Sequence, residues 1–137
     1  MIFIFLHKIQ FFPYKIGKFL KERKFYFVFL SKIKNRKIWC AASTHPTEEI
    51  ICAKSHLKIK KNYNNILTII IPRHIDRAEK INVELSNLNL KVDLYSKLDQ
   101  MDENTDILII DSYGESLKFY NISKYVFVGK SLSKTLI

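Results

Sequence analysis

The chain has 137 residues and a formal net charge of +10, with 47% hydrophobic and 26% charged residues, two cysteines, three glycines and three prolines. That length suits one domain with a real core and leaves little room for two, and so apolar a composition excludes disorder along the whole chain. Cys40 and Cys52 can form at most one bridge and show no CxxC-type metal spacing, which excludes a disulfide framework and points to a reducing compartment.

The charge is unevenly distributed. Residues 1–64 carry 14 Lys or Arg against 3 Asp or Glu, whereas residues 65–137 carry 9 against 10. Of the basic residues 19 are Lys and 4 are Arg, the reverse of the Arg-rich pattern that grips phosphates and guanines in pairs of hydrogen bonds. Nucleic acid is therefore not the expected partner.

Residues 1–12 (MIFIFLHKIQFF) are strongly apolar but too short to span a bilayer, and they lack the basic start and small-residue cleavage site of a signal peptide. Residues 25–30 (FYFVFL) form a second apolar run between Lys24 and Lys32. Aromatics beside lysines suit contact with a membrane surface; the plainer reading is buried segments or sequence without useful structure, since neither run shows a helical stripe. Residues 1–36 are thus an unassigned basic and aromatic segment, with a boundary expected near residue 36.

From Lys37 the pattern becomes regular. Residues 37–42 (KIWCAA) read as a buried strand that stops at Ser43-Thr44-His45-Pro46. Residues 47–62 read as a helix, with Glu48 and Glu49 in its first turn, lysines in its last, and Ile50, Ile51, Ala53 and Leu57 as its apolar face. Thr44 is a candidate N-cap for it, and His56 inside it suits a core or surface histidine better than a ligand. Residues 66–71 (ILTIII) are continuous and β-branched, as a strand covered on both faces should be, and Pro72 ends them. Residues 75–88 read as a second helix, with Val83 among its apolar positions. Residues 91–95 (KVDLY) alternate and predict a strand near an edge. Residues 96–105 read as a polar, acidic loop, 107–110 (ILII) as a buried strand, 115–121 as a short helix and 125–128 (YVFV) as a last strand.

The order β-α-β-α-β-β-α-β implies an α/β fold: a Rossmann-like half with a mostly parallel sheet and helices on both faces. In such sheets ligands bind beyond the carboxyl ends of the strands. Those positions hold Ser43-Thr44-His45, Arg73-His74 with Arg77 one turn on, Asp111-Ser112-Tyr113-Gly114-Glu115, and Gly129-Lys130-Ser131. Helix N-termini behind the first two would favour a phosphate or carboxylate, and Glu115 suits a ribose hydroxyl pair. No HExxH pair, P-loop or Ser-His-Asp order is present, so zinc-protease, NTPase and hydrolase readings have no support.

These clusters resemble a known family, the 3-deoxy-D-manno-octulosonic acid (Kdo) transferases. The run from Trp39 to Glu49 (WCAASTHPTEE), followed by His56, is similar to the family's AASTHPGEE segment and downstream histidine. Residues 71–79 (IPRHIDRAE) resemble VPRHPERAE, residues 111–115 (DSYGE) resemble DTMGE with Tyr120 at the aromatic position that follows, and residues 126–132 (VFVGKSL) resemble AFVGGSL. Four motifs in the right order cover about residues 37–134.

The resemblance implies a GT-B glycosyltransferase of two Rossmann-like domains that needs no metal and no cofactor. It transfers Kdo, with inversion, from CMP-Kdo to the lipid A precursor in lipopolysaccharide synthesis, in the cytoplasm or at the cytoplasmic face of the inner membrane. Residues 37–137 would be a partial CMP-sugar-binding domain, the second of the two. By motif position Ser43, Thr44, Arg73, His74, Gly114 and Glu115 would lie around the nucleotide, with Gly129 and Ser131 toward the phosphate. The chain departs from the family pattern at Thr47 and Lys130, where the family has glycine, and at Tyr113, where it has Met. The family's catalytic base lies in the first domain, and its GGHNPLEP stretch follows the last motif, so no catalytic residue is named here and a fragment without independent activity is expected. Two other readings stand beside this one: a lysine-rich module that binds RNA or an anionic membrane surface, and the non-functional product of a decayed gene.

Overall fold

A computed structural model describes residues 13–130, which divide into two units after Lys34. The apolar run 1–12 and Ser131 lie outside the described residues.

The first unit is a helix, α1 (Pro13–Lys32). The sequence predicted no element here, because the aromatic residues of its second half fall on all sides rather than along one stripe. A proline at the first position and helical-spacing pairs support the helix nonetheless: Lys18 and Glu22 stand 3.9 Å apart, and the Arg23 guanidinium sits 5.4 Å from the Phe27 ring centre. Among the described residues no helix is long and apolar enough to cross a membrane.

The second unit is a five-stranded, all-parallel sheet in the order β3-β4-β2-β1-β5. Its elements are β1 (Lys37–Thr44), α2 (Glu48–Lys60), β2 (Ile66–Pro72), α3 (Ala78–Ser86), β3 (Val92–Leu94), β4 (Ile107–Ile109), α4 (Ser116–Ile122) and β5 (Tyr125–Val128). All seven residues of β2 are buried, which explains its unbroken β-branched run: it lies between β1 and β4 and is covered on both faces. The alternating β3 occupies an edge as expected. Right-handed crossovers place α2 and α3 on one face; the chain reverses direction after β3, so the crossover through α4 from β4 to β5 falls on the other. The core gathers Ala41, Cys52, Ala53, Ile70, Ile81 and Leu85 between the sheet and α2 and α3.

Three local expectations are corrected. Residues 96–105 are not simply a loop: Tyr95–Gln100 forms a 3-10 segment. The segment kinks at Lys97 and the backbone is extended again by Met101; Tyr95, Leu98 and Met101 are all buried, with the Tyr95 ring edge-on to Phe119 of α4 at 5.2 Å. The second predicted helix begins as a 3-10 turn (Ile75–Arg77), and its Val83 faces solvent.

The third correction concerns α2, which buries three polar residues beside Cys52 and Ala53. Glu48, Glu49, Cys52, Ala53 and His56 are buried, whereas Ile51 and Leu57 are exposed. Each buried polar group has a partner elsewhere in the fold. His56 lies between Thr68 Oγ1 at 2.8 Å and Asp106 Oδ1 at 3.3 Å, and Asp106 also accepts from Lys60 Nζ at 2.6 Å and from the Lys91 backbone N–H at 2.9 Å. Burial pushes the His56 pKa down, against the pull of Asp106. Burial alone would push the Asp106 carboxyl up, but the hydrogen bonds from Lys60 and Lys91 outweigh it and hold it low.

Candidate functional site

The order of the strands fixes where a ligand would sit. From β1 the chain moves outward through β2 to the edge strand β3, then turns back to insert β4 between β3 and β2 and to place β5 on the other side of β1. The crevice at such a reversal, beyond the carboxyl ends of β1 and β5, is the open position of a doubly wound sheet.

A bulge shapes the β1 side. Ala42 pairs with Ile71 and Thr44 with Pro72, which leaves Ser43 as the extra residue, with φ 53°. Ser43 is half-buried at this edge; Thr44 is fully buried and is the last residue of β1, not the N-cap of α2, which is Thr47. The Arg73 N–H donates to the Thr44 carbonyl at 3.0 Å and the Gly129 N–H to the Ala42 carbonyl at 2.7 Å, tying the exits of β2 and β5 to that of β1. A Cβ on Gly129 would lie 2.2 Å from the Ser43 carbonyl oxygen. The glycine is required by close backbone approach to the bulge.

Glu48 locks this arrangement. Its fully buried carboxylate accepts the backbone N–H of His45 at 3.0 Å and that of Lys130 at 2.9 Å, so one side chain joins the β1 exit to the β5 exit. Glu49 beside it is buried too and accepts from Arg77 Nη2. Burial pushes the Glu49 carboxyl up, with Arg77 opposing. The sequence suggested that the N-terminus of α2 offers its positive end to a ligand anion; the structure places the chain's own two carboxylates in that first turn.

Two residues at the family's glycine positions adopt glycine's conformation. Thr47 has φ 77° and Lys130 φ 76°, close to Gly114 at φ 76°. Both therefore hold a side chain in the left-handed region that L residues rarely adopt.

The remaining clusters line the same edge. Arg73 and His74 are exposed beyond β2. Beyond β4, Asp111 accepts the Ser96 N–H at 2.9 Å, which fixes the loop, and Ser112 Oγ donates to Glu115 Oε2 at 3.2 Å. Lys118 Nζ stands 3.4 Å from Glu115 Oε1; Gly114 and Tyr113 are exposed. Of the residues singled out by sequence, Ser43, Arg73, His74, Gly114 and Glu115 thus have surface at the carboxyl edge, while Thr44 and Gly129 are buried beneath it. Sequence reasoning placed Glu48 in the first turn of the helix and Asp111 in a strand-end cluster but assigned neither its tethering role. Cys40 and Cys52 are buried free thiols, each pushed by burial up to about 12, which favours the protonated form.

Comparison with known proteins finds glycosyltransferases among the relatives of this chain. The chain is 38% identical over 101 residues to a 3-deoxy-D-manno-octulosonic acid transferase from Haemophilus influenzae, covering 74% of this chain and 24% of that protein. It is 36% identical over 116 residues to a bifunctional glycosyltransferase/methyltransferase from Fusobacterium nucleatum, covering 81% and 17%. The chain therefore spans about a quarter or less of the length of these curated relatives. Among solved structures, the C-terminal CMP-Kdo binding domain of WaaA from Acinetobacter baumannii superposes with a TM-score of 0.69 at 28% identity, over 82% of this chain and 59% of that one. No family model matches the chain.

Proposed function

The chain belongs to the 3-deoxy-D-manno-octulosonic acid transferase family, as a segment related to the C-terminal domain, and from that premise we propose that it forms the donor-binding part of a Kdo transferase, with CMP-Kdo as its ligand. The observation that carries the reading is one of position. All four motif clusters, spread from Ser43 to Lys130 in the chain, fall at the carboxyl edge of one parallel sheet, and the superposable domain is a CMP-Kdo binding domain.

In this reading Arg73 and His74 supply cationic and hydrogen-bonding contacts to the nucleotide, Glu115 accepts from ribose hydroxyls, and Gly114 lets the loop approach closely. Ser43 lies beside the nucleotide, and Thr44 and Gly129 shape the floor toward the phosphate, the side that motif position alone also gives Ser131. The whole enzyme would pass Kdo to a lipid A precursor at the cytoplasmic face of the inner membrane.

Titration of the full chain with CMP, followed by calorimetry, tests the proposal. Saturable binding, weakened at least about tenfold by Arg73→Ala and by Glu115→Ala, is expected. Absence of saturable heat at millimolar CMP overturns it.

A further inference from the structure

The opposite edge of the sheet carries a concavity of different chemistry. β1, β2 and β5 begin there at Lys37, Ile66 and Tyr125, and between these starts and the end of α2 lies a pocket of about 460 Å³. That volume is in the range of small-molecule sites, about 300–1,000 Å³. Ile38, Ile59, Ile66 and Ile122 give it an apolar lining.

Its charged lining residues are all cations: Arg36, Lys37 and Lys124. Lys37 Nζ stands 4.3 Å from the Tyr63 ring centre and Lys124 Nζ 5.7 Å from that of Tyr125, so aromatic rings hold both ammonium groups beside the pocket. Arg36 spends Nε and Nη2 on the carbonyls of Asn65, Ile66 and Thr105, but its Nη1 is buried without a partner, as is Nε1 of Trp39. Buried N–H groups left unpaired are costly and call for an acceptor. Trp39, Ile59 and Tyr125 also line a second groove of about 450 Å³ between α2 and β5, which adds Ile51, Cys52, Phe127 and one hydroxyl residue, Ser55, and contains no charge. Cations and unused donors thus lead continuously into an apolar channel.

We infer that this face binds a single-chain amphiphilic anion. Its carboxylate or phosphate head accepts from Arg36 and Trp39 between Lys37 and Lys124, and its hydrocarbon tail runs past Ile59 toward Phe127. The charge of the lining selects the head, and the groove selects against an anion without a tail. The inference is independent of nucleotide binding at the carboxyl edge.

Trp39 is the single tryptophan of the chain, so its emission reports the site directly. The full chain is titrated, below the micelle concentration, with dodecanoate, with 1-dodecanol and with inorganic phosphate. Dodecanoate is expected to give a saturable blue shift, dodecanol to bind at least about tenfold more weakly, and phosphate to give no shift at the same concentrations. The double variant Lys37→Glu/Lys124→Glu changes two exposed side chains and should weaken dodecanoate at least about tenfold while leaving dodecanol unchanged. If circular dichroism shows that variant misfolded, Lys37→Gln/Lys124→Gln takes its place. A spectrum that does not saturate, equal affinity for acid and alcohol, or affinity indifferent to the lysine changes overturns the inference.

Discussion

The Glu48 carboxylate reaches across the sheet's reversal point to the backbone of Lys130, 82 residues later, with both oxygens 2.9 Å from its nitrogen. The same group accepts the His45 N–H, so the loops leaving β1 and β5 share one anchor. Glu48→Ala removes a fully buried charged acceptor from two backbone donors and is expected to cost about 3 kcal/mol. Urea denaturation measures this, and hydrogen exchange at the Lys130 amide should quicken beyond the global change; unchanged exchange there would refute the anchoring role.

Left-handed turns now occupied by Thr47 and Lys130 carry strain that glycine relieves. Thr47→Gly and Lys130→Gly are each expected to raise stability by about 0.5–1 kcal/mol, because the conformational gain at φ 77° and 76° exceeds the added freedom of the unfolded chain. Gly129→Ala should do the opposite, costing about 2–3 kcal/mol, since its new Cβ would meet the Ser43 carbonyl. Denaturation midpoints of the three variants should therefore move in two directions.

Glu49 owes its burial to Arg77. With Arg77→Met the carboxylate loses its counter-charge, and a loss of about 3–5 kcal/mol is expected at neutral pH. Burial already raises the folded-state pKa of Glu49, so ionising it opposes folding. The destabilisation should therefore shrink as pH falls toward the ordinary glutamate value of about 4.3 and grow as pH rises from there. Melting temperatures of wild type and variant between pH 4 and 8 provide the check; a pH-independent gap would count against this account.

His56 predicts acid sensitivity of the opposite sign. Its folded-state pKa lies below the ordinary value of about 6.5, so beneath that pH the unfolded chain takes up a proton that the folded chain resists, and stability falls with pH. Asp106, also held low, adds a second loss below about pH 4 as the unfolded chain is protonated first. His56→Asn should flatten the stability profile between about pH 5 and 6.5 while leaving the lower step in place. Persistence of the upper step in that variant would assign it to another group.

How far the sequence could be read depended on the range of the interaction. The buried strand 66–71 declared itself because a strand covered on both faces must be apolar throughout, and the edge strand 92–94 because alternation marks a half-covered one. The clusters at the carboxyl edge followed from the strand–helix alternation alone. The segment Tyr95–Gln100 was misread because four polar residues obscured the buried Tyr95, Leu98 and Met101. Helix α1 was missed because its aromatic side chains form no single stripe.

The sequence by itself determined the fold class, the succession of strands and helices along the chain and which strand ends carry polar groups, since each is written in neighbouring residues as a hydrophobic period or a turn; the order of the strands within the sheet came only with the tertiary structure. Only the tertiary structure decided which face of α2 is buried. Local amphipathicity favours Ile51 and Leu57, yet Glu48, Glu49 and His56 go inside. Their partners Lys130, Arg77 and Asp106 lie 82, 28 and 50 residues away, and only folding brings those groups close enough to offset the loss of water around a buried charge.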